Sequence, residues 1–267
     1  MDTKTFEKFR KIVYDKSGIT LGPSKEALVA ARVGKRMRTL GMQDYRQYLD
    51  YVLDDRSGDE TVQLLDAIST NVTSFYREPD HFKFLAAAVR KWIAQGQRKL
   101  RIWSAASSTG EEPYTIAMTL LEAVKEPGVD MKILATDIST RVLRICTAGA
   151  YEAAKLTGVP AELRDRYFEA CRDGGDLRYV ARQRLKNLIT FGRLNLAHPP
   201  YPMAGPFDVV FCRNVMIYFD NEVRRRLLTE VGRLLRPGGY LLVGHAESLT
   251  GMLIDLKIVR PSIYQRP

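Results

Sequence analysis

Residues 100–118 read LRIWSAASSTGEEPYTIAM, and this stretch decides the fold. LRIWSA (100–105) is a short apolar run of strand length. A polar turn with one glycine, Gly110, follows it, and YTIAMTLLEAV (114–124) then carries apolar residues at helical spacing. Strand, polar turn and helix form the first half of a βαβ unit. The pattern recurs downstream. MKILATD (131–137) precedes a helix holding Val142, Leu143 and Ile145, and LITFG (188–192), FDVVFCR (207–213) and YLLVG (240–244) are three more strands. Helix 221–235 places Val223, Leu227, Leu228, Val231, Leu234 and Leu235 on one face. Strands alternating with helices imply right-handed crossovers and an α/β fold with a mostly parallel sheet. The closing LKIVRPSIYQRP reads as two short strands broken at Arg260-Pro261, an antiparallel hairpin that completes the sheet. Around Gly174-Gly175 the rhythm is interrupted, so a small antiparallel insertion is expected over 172–191.

Upstream, the alternation is absent. Phe6, Phe9, Ile12 and Val13 recur at helical spacing, as do Tyr45, Tyr48, Leu49, Val52 and Leu53, and Val62, Leu64, Leu65 and Ile68 mark a further helix. Between them, Ser24 as N-cap and Gly41 after the last turn delimit a helix through Thr39. A small all-helical domain with its linker is expected over 1–75, and the sheet domain over 76–267.

Composition narrows the function classes. The 267 residues are 45% hydrophobic and 27% charged, which is globular rather than disordered or fibrous. No apolar run approaches the roughly 20 residues of a membrane-spanning helix, and MDTKTFEKFRKIV lacks a signal-peptide core. Cys146, Cys171 and Cys212 are scattered, which argues against a disulfide framework or zinc site and for a reducing, cytoplasmic setting. The formal charge is +10, which admits nucleic acid, a membrane surface or an acidic protein as partner. That charge is polarised within the helical domain. Residues 1–40 hold ten Lys/Arg against four Asp/Glu, and residues 41–70 hold two against seven. Spacing along Arg32–Arg38 favours a solvated basic face, with Arg32 and Arg36 one turn apart and Lys35 and Arg38 on an adjoining strip. Arg224, Arg225 and Arg226 read as the solvated side of their helix, and Tyr45, Tyr48 and Tyr51 as packing groups.

Open α/β sheets bind ligands at the carboxyl ends of their strands, and four strand ends here are polar. They supply SAASSTGEEP (104–113), Asp137, Asn195-Leu196 and Arg213-Asn214. A lone acid after the second strand suits a ribose diol, because a carboxylate accepts both hydroxyl hydrogens; a helix N-cap is the competing role. The first turn lacks the GxGxxG of a pyrophosphate cradle, so a nucleoside without phosphates, such as S-adenosylmethionine, fits better than a dinucleotide. Thr109 and Glu112 have capping-box spacing. Proline prefers the first helical position, however, so the helix is expected to start near Pro113 and leave both carboxylates in the turn.

NVTSFYREPDHF (71–82), SAASSTGEEPYTIAM (104–118), ATDIS (135–139), FGRLNL (191–196), FDVVFCRNVMIYFD (207–220) and LLRPGGYLLVGHAES (234–248) together resemble the chemotaxis receptor methyltransferases, the CheR family, nearly end to end. The resemblance implies a helical domain joined to a class I S-adenosylmethionine-dependent methyltransferase domain, Rossmann-like and seven-stranded, with a receptor-tethering insertion. It implies methyl transfer to glutamate side chains on the cytoplasmic domains of chemoreceptors, with S-adenosylhomocysteine as product. By motif, Asn71, Thr73, Arg77, Glu112, Asp137, Asn195, Leu196, Arg213 and Asn214 would contact the cofactor. Arg77 and Tyr218 would lie nearest the transferred methyl. Arg32, Lys35, Arg36 and Arg38 would face the acidic receptor helix. No metal, nucleic acid, membrane insertion or oligomer is expected.

The chief rival is a nucleic-acid methyltransferase, for which His198-Pro199-Pro200-Tyr201 resembles an NPPY motif. His stands where the amide should be, and the motif precedes the fourth strand instead of following it. A second rival, a non-catalytic adaptor, is opposed by the intact set of polar strand ends.

Overall fold

The computed structural model describes residues 1–173, 176–249, 251–252 and 255–267. The first domain packs α1 (Thr3–Ser17), α2 (Glu26–Thr39), α3 (Tyr45–Asp54) and α4 (Asp59–Ile68) around their own core, which includes Phe6, Phe9, Val33, Tyr48 and Leu64. Asp2 caps α1 by accepting the Thr5 amide at 3.0 Å. Helix α2 begins one residue later than expected, with Lys25 at the N-cap position. Pro23 opens a short 3-10 turn over Pro23–Lys25, so Ser24 lies inside that turn and is not an N-cap. The far end of α2 follows expectation: Gly41 takes a left-handed φ of +72°, and the Met42 amide closes back on the Met37 carbonyl at 2.9 Å. Helix α3 buries Tyr48, Leu49 and Val52, but Leu53 and Tyr51 remain 58% and 44% exposed, so Tyr51 is not a packing group.

Helix α5 (Pro79–Ala94) leads into β1 (Lys99–Ser104), α6 (Glu111–Ala123), β2 (Asp130–Asp137) and α7 (Thr140–Ala148). There follow β3 (Ala150–Glu152), α8 (Ala161–Tyr167), β4 (Phe168–Asp173), β5 (Asp176–Ala181), α9 (Gln183–Lys186), β6 (Ile189–Arg193), β7 (Phe207–Cys212), α10 (Asn221–Leu234), β8 (Leu235–Val243), β9 (Lys257–Arg260) and β10 (Ile263–Gln265). Among the described residues the main sheet runs β6-β2-β1-β7-β8-β10-β9. Its pairs β2–β6, β1–β2, β1–β7 and β7–β8 are parallel, and β10 is antiparallel to both neighbours. The central strand β7 is buried at every position, as a strand covered on both faces must be. One covering layer includes Phe82, Leu85, Ile116 and Met118, and the other Val223, Leu227, Leu228 and Val231 of α10.

The antiparallel insertion is wider than 172–191 and shifted. Its sheet runs β3-β5-β4, drawing on 150–152, 168–173 and 176–181, while 189–191 belong to the main sheet. The short partner β3 offered no period-2 run long enough to read. The expected Gly174-Gly175 turn lies outside the described residues.

The basic face of α2 is split. Arg36 turns inward to pair with Glu60 of α4 at 2.9 and 2.5 Å, and Tyr48 donates its hydroxyl to the same carboxylate at 2.7 Å. Arg32 caps the end of α4, donating to the carbonyls of Ile68 and Ser69. Only Lys35 and Arg38 of the four stay exposed. Glu60 is 4% exposed, so losing Arg36 leaves a buried carboxylate short of its cation. Arg36→Met is therefore expected to cost about 3 kcal/mol of stability, read as a lower urea midpoint with an unchanged slope.

Candidate active site

Strands β1 and β7 are neighbours in the sheet, but the chain leaves them for opposite edges, so a crevice opens between their carboxyl ends. A cleft of about 1260 Å³, including space open to solvent, lies there. The sheet forms its floor, and the helical domain with residues 68–74 forms its roof. The roof is tied to the segment that follows β7. The Thr20 amide donates to the Tyr218 carbonyl at 2.8 Å, Ile19 bridges Phe219, and the Tyr14 hydroxyl donates to Asp220 at 2.6 Å.

Asp137 ends β2 and is 8% exposed. It accepts the Ser108 amide and the Ser139 amide, both at 2.9 Å. It is not the cap of α7, a role Ser139 fills through Val142. Burial pushes the Asp137 carboxyl up to about 6, resisted by the two amides and aided by Asp66 of α4. Ser108, at φ +49°, also donates its hydroxyl to the Asn71 carbonyl at 3.0 Å, which joins the linker to the first turn. Asn71 Nδ2 is buried on the cleft wall with no partner in the protein.

Helix α6 starts at Glu111, with Gly110 as N-cap at φ +100° and Pro113 third in line. The earlier start is tolerated because the first four helical N–H groups have no partner within the helix. A side chain at Gly110 has no room: its Cβ would lie 2.5 Å from the Tyr151 hydroxyl. Glu112 faces the cleft but closes no capping box. It accepts from Ser104 at 2.7 Å and from Arg213 at 3.0 Å. Arg213 also donates to Glu78 at 2.8 Å and to the Arg77 carbonyl at 2.6 Å, and its guanidinium lies over Phe82. Arg213 thus lines the cleft with its guanidinium shared among protein acceptors. Burial raises Glu112 above the usual carboxylate range, opposed by Arg213 and Ser104. For Glu78, burial acts upward, but Arg213 and the His245 amide together outweigh it and leave the group low.

Asn195 also lines the cleft, yet its amide donates to the Lys16 carbonyl at 2.7 Å and its oxygen accepts from Ala197 at 3.1 Å, so it joins floor to roof. Leu196 is buried beside it. Thr73, Arg77, Asn214 and Tyr218 complete the wall, and Arg77 donates to the Val72 carbonyl at 3.0 Å. Arg32, Lys35, Arg36 and Arg38 do not reach the cleft lining.

Sequence reasoning overlooked Glu78 and Glu247. Glu78 sits at a left-handed φ of +57°, directly after Arg77, and Glu247 lies in the GHAES segment after β8. An acid wedged between an arginine and Pro79 was the available signal for the first. Burial of His81 pulls it down to about 4, with Arg213 adding to the shift, so it is neutral at physiological pH. Glu78, His81 and His245 bring ligating atoms within 4.8 Å of one another, but Arg213 already holds the carboxylate, and a cation would enter beside that positive charge. His198-Pro199-Pro200-Tyr201 does not form an amine-binding loop. Tyr201 is buried against Trp103, and its hydroxyl donates to the Leu196 carbonyl at 2.7 Å.

Residues 71–264 match the family model described as CheR methyltransferase, SAM binding domain, and residues 4–69 match CheR methyltransferase, all-alpha domain. The chain belongs to the CheR methyltransferase family. It is a methyltransferase that uses S-adenosylmethionine. It is similar to chemotaxis protein methyltransferase 2 of Pseudomonas aeruginosa, 39% identical over 261 residues, covering 97% of this chain and 91% of that protein. A probable chemotaxis protein methyltransferase of Rhizobium etli is 39% identical, covering 90% and 91% respectively, and the chemotaxis protein methyltransferase of Escherichia coli is 36% identical, covering 92% and 84%. The cleft fits the cofactor chemically: the Asn71 amide is an orphan donor on its wall, and Asp137 is a buried acceptor at a strand end.

Were Asp137 to hold a ribose diol, its ionised form would do so better, because both oxygens then accept. Since that carboxyl titrates at about 6, S-adenosylhomocysteine is expected to bind roughly tenfold more weakly at pH 5 than at pH 7.5. Binding favours the ionised form and so strengthens as pH rises through that value. Calorimetry across this range checks the slope, and Asp137→Asn should flatten it.

Proposed function

We propose that this enzyme transfers a methyl group from S-adenosylmethionine to glutamate side chains on the cytoplasmic domains of chemoreceptors. The products are glutamate methyl esters, which tune chemotactic signalling, and S-adenosylhomocysteine. The observation that carries the acceptor class is the lack of a histidine or an unengaged carboxylate on the cleft wall. Among the described residues lining the cleft there is no histidine, Glu112 is tied to Arg213 and Ser104, and Asp137 to two amides. An amine acceptor must first lose a proton, whereas a glutamate, with a pKa near ~4.3, arrives as an anion.

The cofactor, when bound, supplies an electrophilic methyl on a sulfonium. Asn71, Thr73, Arg77, Glu112, Asp137, Asn195, Leu196, Arg213 and Asn214 form its proposed site, Arg213 by holding Glu112 and the Arg77 backbone in place. Arg77 holds the acceptor carboxylate, and the Tyr218 hydroxyl orients it. The Arg77 grip must leave one oxygen lone pair free to attack. The roof of the helical domain keeps water out, so positioning is the main catalytic contribution. Lys35 and Arg38, exposed on α2, meet the acidic receptor helix and favour encounter. The enzyme acts in the cytoplasm as a monomer. Among the described residues no helix is long and apolar enough to cross a membrane.

Incubating the enzyme with receptor fragments and isotopically labelled cofactor should place labelled methyl esters on glutamates by mass spectrometry. Label confined to other side chains or to nucleic acid would sink the proposal. Arg77→Ala should lower the methylation rate at saturating receptor by about 100-fold with an unchanged fold. Replacing Lys35 and Arg38 by glutamate should lower kcat/KM about tenfold at low salt, leave kcat alone, and lose its effect at high salt.

A further inference from the structure

We infer that Glu247 is a positioning residue for methyl transfer, acting through the loop that carries Asn214 and Tyr218. The inference rests on reading the cleft as the cofactor site. Glu247 lies beyond the end of β8 and is 7% exposed. Its Oε2 accepts the backbone amides of Asn214 and Gly244, both at 2.7 Å, and its Oε1 accepts that of Met216 at 2.8 Å. One carboxylate therefore joins the end of β8 to the loop leaving β7, across the parallel pair β7–β8.

Three backbone donors converging on one side chain restrict what can stand there. A carboxylate accepts on both oxygens, whereas an amide presents one acceptor and one NH₂, which meets an N–H head-on. The restraint falls where the loop is least able to hold itself. Asn214 sits at φ +57°, a conformation that needs outside support. Gly244 is equally constrained: a Cβ there would lie 2.3 Å from Asn214 Nδ2 and 2.9 Å from Glu247 Oε2. Arg224, expected to be solvated, donates instead to the Met216 carbonyl at 2.8 Å, so Met216 is gripped at both its amide and its carbonyl. Tyr218 follows in the same short turn, over Met216–Tyr218, and its carbonyl is held from the roof by Thr20. The backbone between Glu247 and Tyr218 is thus held at Met216 and at the Tyr218 carbonyl, which fixes where the Tyr218 side chain begins. Glu247 touches neither substrate nor cofactor in this scheme; it determines where Asn214 and Tyr218 stand.

The test compares wild type, Glu247→Gln and Glu230→Gln as full chains. Glu230 is an equally buried carboxylate, 7% exposed, that accepts the Tyr201 amide at 2.9 Å away from the cleft. Wild type should bind S-adenosylhomocysteine in calorimetry; if it does not, the reading of the cleft fails before Glu247 is at issue. Given that binding, Glu247→Gln should melt near wild type yet bind S-adenosylhomocysteine about tenfold more weakly and show kcat at saturating cofactor lowered at least about tenfold. Glu230→Gln should stay within about twofold on both measures. A folded Glu247→Gln protein with wild-type affinity and kcat overturns the inference. If that variant does not fold, Gly244→Ala pushes on the same contact, and unchanged affinity there overturns it equally. In wild type itself, the amides of Asn214, Met216 and Gly244 should exchange slowly with solvent deuterium; rapid exchange would contradict the proposed restraint.

Discussion

A guanidinium buried at the end of β7 is the constraint on which the cleft depends. Arg213 is 5% exposed, and a charge so placed persists only if acceptors surround it. They come from three directions: Glu112 from α6, Glu78 from the start of α5, and the Arg77 carbonyl from the linker. Strand, helix and linker must therefore meet at one point, and the carboxyl end of the sheet is organised around it. Removing any one partner leaves a buried N–H of Arg213 without its acceptor, so the contacts depend on one another.

The backbone near this point is bent to serve it. Tyr76, Glu78, Ser108 and Asn214 all take positive φ without being glycine, and each borders the cleft or its linker. Conformations of this kind cost of order 1–3 kcal/mol each and persist where neighbouring contacts over-determine them. The contacts here are the Arg213 cluster, the Asp137–Ser108 bond and the Glu247 bonds. The roof adds a second layer of restraint. Lys16, Thr20 and Tyr14 tie the helical domain to the loops after β6 and β7, which makes it a wall of the cleft.

How far the sequence could be read depended on whether a feature was local. Strand β2, helix α10 and the closing hairpin were legible because hydrophobic period and turn residues lie within a few positions of one another. The start of α6 was misjudged because proline's preference for the first position was weighed alone, whereas Glu112 was already engaged by Arg213, 101 residues away. Likewise Arg32 and Arg36 looked like a solvated stripe, because helical spacing says which residues share a face but not what packs against it. Glu60, 24 residues on, supplies that answer.

By itself the sequence determined the class of fold, the order of its strands along the chain, the set of polar strand ends and the family. These follow from periodicity and from motifs contiguous in the chain. Only the tertiary structure decided which charged groups remain free. It turned Arg213, Arg36 and Asn195 into struts and left Arg77 and Tyr218 on the cleft wall. It also exposed the parts played by Glu78 and Glu247, whose partners are dispersed along the chain. The physical reason is that burial raises the cost of any unpaired charge, and pairing is settled by spatial neighbours that no local pattern records.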